Sequence, residues 1–332
     1  MQKKLINIAT YIFTLLLCAF LIWLTVKDLN QEDIQKIKFS ISQAKYLLLI
    51  PIIIMGFVSH WSRAVRWKYL IESLDFHPKT MNTFFAVMVG YLANLAFPRL
   101  GEVLKCTILA RYEKIPADKL VGTIIAERAF DMLCLVILFI VTFLVQIDLA
   151  AHYFNELISR FNQNSDSSFL KMYWLLGALV LLILLLFIFK SYIKNSNVFK
   201  KVENIIQNIL SGILSFKNMK NQKGFVFHTV LIWAMYFGMI QLGFYSIGET
   251  SVLTYKTAFS VLSFGSVGMI LTPGGIGAYT LLVQEIISLY GIENAFSVAI
   301  SWIIWLVPTI IILIGGTLSL IFLPIYNKIK NG

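Results

Sequence analysis

Two short stretches, Pro98-Arg99-Leu100-Gly101-Glu102 and Glu127-Arg128-Ala129-Phe130-Asp131, place ionisable side chains inside otherwise apolar sequence. The chemistry open to such groups is recognition of charge. An arginine fork matches the oxygens of a phosphate, and a carboxylate matches an arginine or a cationic headgroup. Glu127 and Asp131 are four residues apart, and Arg128 and Asp131 three, so all three share one broad face of a helix. On membrane-insertion scales each Asp, Lys or Arg at a helix centre costs roughly 2.5 to 3.5 kcal/mol, while each Leu, Ile, Phe or Val returns only about 0.3 to 0.6. Charges placed here must pair with one another, reach an interface or line a polar cavity. An ion network that positions a helix is one reading; a gate or headgroup site, with Arg99 to Glu102 facing Arg128 to Asp131, is the other.

A second break, Thr272-Pro273-Gly274-Gly275-Ile276-Gly277, interrupts a later apolar stretch. A half-helix that starts inside a membrane presents unpaired N–H groups and the positive end of its dipole, which favours an anion. Gly101, Gly274, Gly275 and Gly277 carry no side chains to keep a phosphate from those amides, and Arg99 would add a charged contact. A lipid phosphate is the anion expected at that depth. Glu285 and Gln284, just beyond, either complete the polar path or bond between helices. The three cysteines and four histidines are scattered without metal-ligand spacing, so no metal, disulfide or cofactor is expected, and no nucleotide-binding fingerprint is present.

The elements that must position these groups are helices in a membrane. The 332 residues are 58% hydrophobic and 14% charged, with several apolar runs long enough to cross about 30 Å of hydrocarbon and none with the alternation of a barrel strand. Spans are expected at 5–26, 46–60, 81–97, 120–147, 172–189, 225–247, 258–271, 276–289 and 295–323, the first a retained anchor rather than a cleaved leader. Arg63, Arg66 and Lys68 then follow a span and read as topology-setting cations, with attraction of anionic headgroups as the other reading. The net charge of +11 falls in loops, as the positive-inside pattern requires, and gives no reason to expect nucleic acid. The basic, amphipathic stretch 190–223 belongs on the cytoplasmic surface, which puts both termini on that side as well.

This side count works only if 81–97 with the helix after Arg99, and 258–271 with the helix after Gly275, are re-entrant hairpins, one from each face. Thr83-Phe84-Phe85 and Thr257-Ala258-Phe259 precede the two breaks at an offset of about 175 residues. The expected fold is therefore an all-α polytopic bundle: a single transmembrane domain with inverted halves at 46–147 and 225–323, joined by the span 172–189 and the surface segment 190–223.

Gly90-Tyr91-x-x-Asn94, Arg99-Leu100-Gly101-Glu102, Gly122-Thr123 with Glu127-Arg128-x-x-Asp131, and Pro273-Gly274-Gly275-Ile276-Gly277 together resemble the transmembrane region of bacterial lysylphosphatidylglycerol synthase/flippases and their stand-alone relatives. The resemblance runs from about residue 46 to 323. It implies a lipid-translocating module of the bacterial inner membrane and sets Asn94 among the binding or gating residues. The aminoacyl-transferase domain of two-domain members is not found before Gly332, so a flippase or lipid transporter is expected rather than an enzyme. Its partners would be a phospholipid or other phosphate-bearing lipid, a separate lipid-modifying enzyme and further copies of the chain. A membrane transferase acting on a polyprenyl-phosphate lipid, with acidic residues such as Glu32 and Asp33 in the first outer loop binding a metal, and a scaffold for envelope enzymes, are the alternatives.

Overall fold

A computed structural model describes residues 2–97, 99–147 and 219–329. Pro98, the outer stretch 148–168, the expected span 172–189 and most of the basic segment 190–223 lie outside the described residues. Those described are helical throughout, apart from turns. The chain divides into two compact units, residues 1–128 with 215–332, and residues 129–214.

In the first unit, α1 (Gln2–Val26) bends by 94° into α2 (Gln31–Ser42). The turn between them is built by a reciprocal cap: Asn30 Oδ1 accepts from the Asp33 amide, and Asp33 returns the bond to the Asn30 amide. Glu32 and Asp33 are thus on a helix rather than in a loop, and Glu32 pairs with Lys36 at 3.0 Å. After α3 (Leu49–Glu72), α4 (Thr80–Ala96) and α5 (Leu100–Glu113) form a hairpin, and α6 (Ala117–Val145) follows. Beyond α7 (Gln222–Phe244), a second hairpin is made by α8 (Tyr255–Leu271) and α9 (Ala278–Leu289), and α10 (Asn294–Ile329) closes the bundle. Of the second unit, the described part is the continuation of α6 from Ala129.

Among the described residues four helices are long and apolar enough to cross a membrane, or five if α1 and α2 count as one bent span. The helices of the two hairpins, with 17, 14, 17 and 12 residues, reach at most about 26 Å each at 1.5 Å per residue. Large apolar side chains cover the outside, among them Phe57, Ile140, Val230, Ile314 and Phe322. In water such a surface would drive aggregation; in lipid it is the ordinary contact. Small residues mark the crossings: a Cβ at Gly316 would meet the Met88 carbonyl oxygen at 3.0 Å and the Leu92 Cβ at 2.7 Å, so α10 lies close on α4.

The two hairpins close in the same way. A Cβ at Gly101 would collide with the Gly90 carbonyl oxygen, and one at Gly268 would stand 2.7 Å from the Tyr279 Cα. Gly90 and Gly101 are eleven residues apart, as are Gly268 and Tyr279, and each member of the second pair lies 178 residues after its counterpart in the first. The tips also touch, because a Cβ on Gly274 would meet Leu95 Cδ2 at 2.5 Å. Helix α10 holds the second tip through Trp305, whose Nε1 donates to the Gly274 carbonyl at 2.9 Å. At the other end of the first hairpin, Asn82 donates to Glu113 at 2.6 Å and exchanges amide hydrogen bonds with Asn327 of α10.

Candidate functional site

Helix α3 does not stop at His60. It runs on to Glu72, and Arg63, Arg66 and Trp67 share its inward face by their spacing of three and four residues. Arg63 and Arg66 are therefore not loop cations: they are 7% and 0% exposed, which corrects their reading as topology signals. Their burial has a chemical reason in Glu127, on α6, which is itself fully buried. Arg63 Nη1 lies 3.3 Å and Arg66 Nη2 3.5 Å from Glu127 Oε1, while Lys105 of α5 brings Nζ to 2.7 Å from Oε2.

The surroundings fix this cluster from several sides. Trp67 Nε1 donates to Thr123 Oγ1 at 2.9 Å, one turn before Glu127, which sets α3 against α6. The Lys105 ammonium stands 4.5 Å from the Trp67 ring centroid, within cation–π range. Tyr236 on α7 lies 3.4 Å from Arg63 Nη2, and the Arg66 guanidinium faces Phe225 of the same helix at 5.7 Å. Tyr91 on α4 faces Arg63 at 5.9 Å. Five helices, α3 to α7, thus contribute to one polar centre. Beside it Arg128 Nε approaches Glu102 Oε1 at 3.1 Å; this pair is more open, at 42% and 33% side-chain exposure.

Electrostatics give the centre a direction. Burying a lone carboxylate is expensive, and one cation in good geometry offsets much of that penalty. Glu127 has three. Among the described residues of the first unit, and with the Glu102–Arg128 pair included, Arg63, Arg66, Lys105 and Arg128 outnumber Glu102 and Glu127. The arrangement suits an added anion, and its two guanidinium forks suit a phosphate.

The other residues singled out in the sequence fall elsewhere. Arg99 is exposed at the tip of the first hairpin, in the left-handed region at φ 65°, where it caps α5. Asn94 is spent on the hairpin itself: its Oδ1 accepts from the Gly101 amide at 2.8 Å. The glycines make room for protein rather than for a phosphate. Gly101 abuts Gly90, Gly274 abuts Leu95, Gly275 sits against Met269 and Tyr279, and Gly277 lies under the α1 backbone near Cys18 and Ile22. Pro273 opens the short turn that carries Gly274. Glu285 is exposed on α9, while its neighbour Gln284 is buried and donates to Asn294 at 2.9 Å. Asp131 is partly exposed and belongs to the second unit. Among the described residues no group of His, Cys, Asp and Glu is placed to hold a metal.

Lys105 is the residue that reading the sequence missed. Its signal was available: it is a single cation between Leu104 and Cys106, on a short apolar half-helix with Glu102 one turn before it.

The family model described as "Lysylphosphatidylglycerol synthase TM region" matches residues 11–316. The UPF0104 membrane protein MJ1595 of Methanocaldococcus jannaschii is 23% identical over 279 residues, which cover 81% of this chain and 82% of that protein. No solved structure matches.

Proposed function

Because the chain belongs to the lysylphosphatidylglycerol synthase TM-region family, we propose that it is a lipid transporter that moves a phosphate-bearing lipid between the leaflets of a membrane. The observation that carries this reading is the buried centre in which Arg63, Arg66 and Lys105 converge on Glu127. Ionisable groups within membrane-spanning helices are functional candidates by default, and a surplus of cations calls for an anion that the bilayer can deliver. A lipid phosphate is that anion. Glu127 holds the cations in place when no lipid is present and gives way to the incoming phosphate.

The hairpins supply the path. We read α4–α5 as entering from the cytoplasmic face and α8–α9 from the other, so that their touching tips lie within the bilayer and the two halves form an inverted repeat. The first hairpin carries Lys105 and Glu102 and moves with them as one piece, held together by the close contact of Gly90 with Gly101. We place the protein in a bacterial inner membrane with both termini in the cytoplasm, acting by transport rather than catalysis. A separate lipid-modifying enzyme would supply or use its cargo, and copies of the chain would associate.

The test is translocation of headgroup-labelled phosphatidylglycerol in proteoliposomes. Wild type should move the label faster than empty vesicles, and Lys105→Met and Glu127→Gln should be slow, with Arg99→Ala as a probe of the tip. Equal rates in wild type, the variants and empty vesicles would remove the proposal.

A further inference from the structure

Between α1 and the two hairpin tips lies a cavity of about 270 Å³. Its walls are Leu15, Cys18 and Ala19 of α1, Leu95 and Ala96 at the end of α4, and Pro273 with Ile276 in the second break, together with Thr14 and Ile22. The charged centre does not use this space, while Leu95, Cys18 and Ile22 of its walls also pack against Gly274 and Gly277. Water has room there but little to bond to, since a buried water needs two to four polar partners and, among the described residues of the wall, Thr14 alone brings a hydroxyl. An engineered apolar cavity of about 150 Å³ stays dry and accepts a hydrocarbon ligand, so a larger one of the same character does so at least as readily.

The occupant follows from where the cavity opens. Leu15 is both a wall residue and 50% exposed, and it continues into a strip of exposed apolar side chains on α1, Phe13, Leu16 and Phe20. Beside the other wall, Ile270 and Leu271 are 65% and 62% exposed just before Pro273. The cavity is thus continuous with the lipid-facing surface of the bundle. What lies against that surface is hydrocarbon.

We propose that this cavity binds one alkyl chain of a bilayer lipid, which wedges between α1 and the tips of both hairpins. Recognition is of the chain, not the headgroup, because among the described residues no charged side chain lines the walls. The site is thus independent of the phosphate site assigned to the Glu127 centre. Because Leu95 and Ala96 come from one hairpin and Pro273 and Ile276 from the other, an occupied cavity contacts both hairpins at once.

Photolabelling decides the matter. Full-length protein in phosphatidylcholine vesicles is irradiated with a trace of diacylglycerol or of phosphatidylglycerol, each carrying a diazirine midway along one chain, and adducts are mapped by mass spectrometry. With both lipids, adducts are expected on residues 14–22 and at 95–96 or 273–276. Ala96→Phe and Ala19→Phe fill the cavity from opposite walls, and either should abolish these adducts while those on the outer surface near Ile314 persist. Adducts confined to the outer surface in wild type would overturn the proposal, as would wall adducts undiminished in both variants. Wall labelling by phosphatidylglycerol alone would also overturn it, since the space would then belong to the headgroup site. Labelled walls without lipid transport would instead count against the transport function and leave the chain site standing.

Discussion

Replacing Glu127 by Gln keeps the shape of the side chain and removes its charge, which tests whether the buried centre is built as the distances imply. Three cations, none more than 7% exposed, would then face an amide. Removing one partner of a buried ion pair typically costs about 3 to 5 kcal/mol, roughly two to three and a half powers of ten in the folding equilibrium. Lys105→Met removes the 2.7 Å contact to Oε2, for which about 1.5 to 3 kcal/mol is the ceiling, since Met fills the same space without charge. In the Glu127→Gln background the same change relieves repulsion, so the double variant should be more stable than the sum of the singles by about 0.5 to 3 kcal/mol. Equilibrium unfolding in mixed micelles with increasing dodecyl sulfate, followed by tryptophan fluorescence, reads all three, and Trp67 reports from inside the cluster. Additivity within about 0.5 kcal/mol would refute the reasoning. So would a Glu127→Gln loss below about 1 kcal/mol, the value of an exposed pair.

The hairpin contact predicts an order of effects: Gly101→Ala, whose new Cβ cannot fit beside the Gly90 carbonyl, should destabilise by about 1 to 3 kcal/mol or more, and Asn94→Ala by about 0.5 to 2. The reverse order in the same unfolding assay would count against the geometry. Asn327→Leu leaves the buried Asn82 amide short of a partner and should cost about 1 to 3 kcal/mol, with faster hydrogen exchange at the start of α4. Lys220, 2.8 Å from Asp75, holds that carboxylate below its ordinary pKa of 3.8. A lowered pKa means the contact is fully present above that value and is lost as the pH falls below it. Hydrogen exchange around Asp75 should therefore rise below about pH 4 in wild type, whereas in Lys220→Ala it should already be raised at neutral pH and respond less to acid.

Fold class and most helix positions were legible because long apolar runs, prolines and glycines act locally. The first hairpin was expected at 81–97 with a helix from Gly101, and the structure gives Thr80–Ala96 and Leu100–Glu113. The end of α3 was not legible: Arg63 and Arg66 look like the charged edge of a span unless Glu127, more than sixty residues away, is known to lie against them. Glu127 itself stood out as an expensive charge, but nothing local says which cations answer it. The glycines posed a similar problem. Sequence shows that a side chain is absent; only the neighbours show whether protein or ligand takes the space, and at Gly101, Gly274 and Gly277 it is protein.

The ion centre also constrains how the chain can be made. Arg63 and Arg66 leave the ribosome 64 and 61 residues before Glu127. At roughly 5 to 20 residues per second that is an interval of about 3 to 13 s, during which a membrane-inserted α3 bears each arginine at a cost of up to about 3.5 kcal/mol, the figure for a helix centre. Helix α3 is therefore held to its final depth only when α6 emerges, with α5 and Lys105 arriving just ahead of it. A chain halted before Glu127 would carry two arginines whose counter-charge has yet to be synthesised, and quality control in the membrane would see it as unfinished.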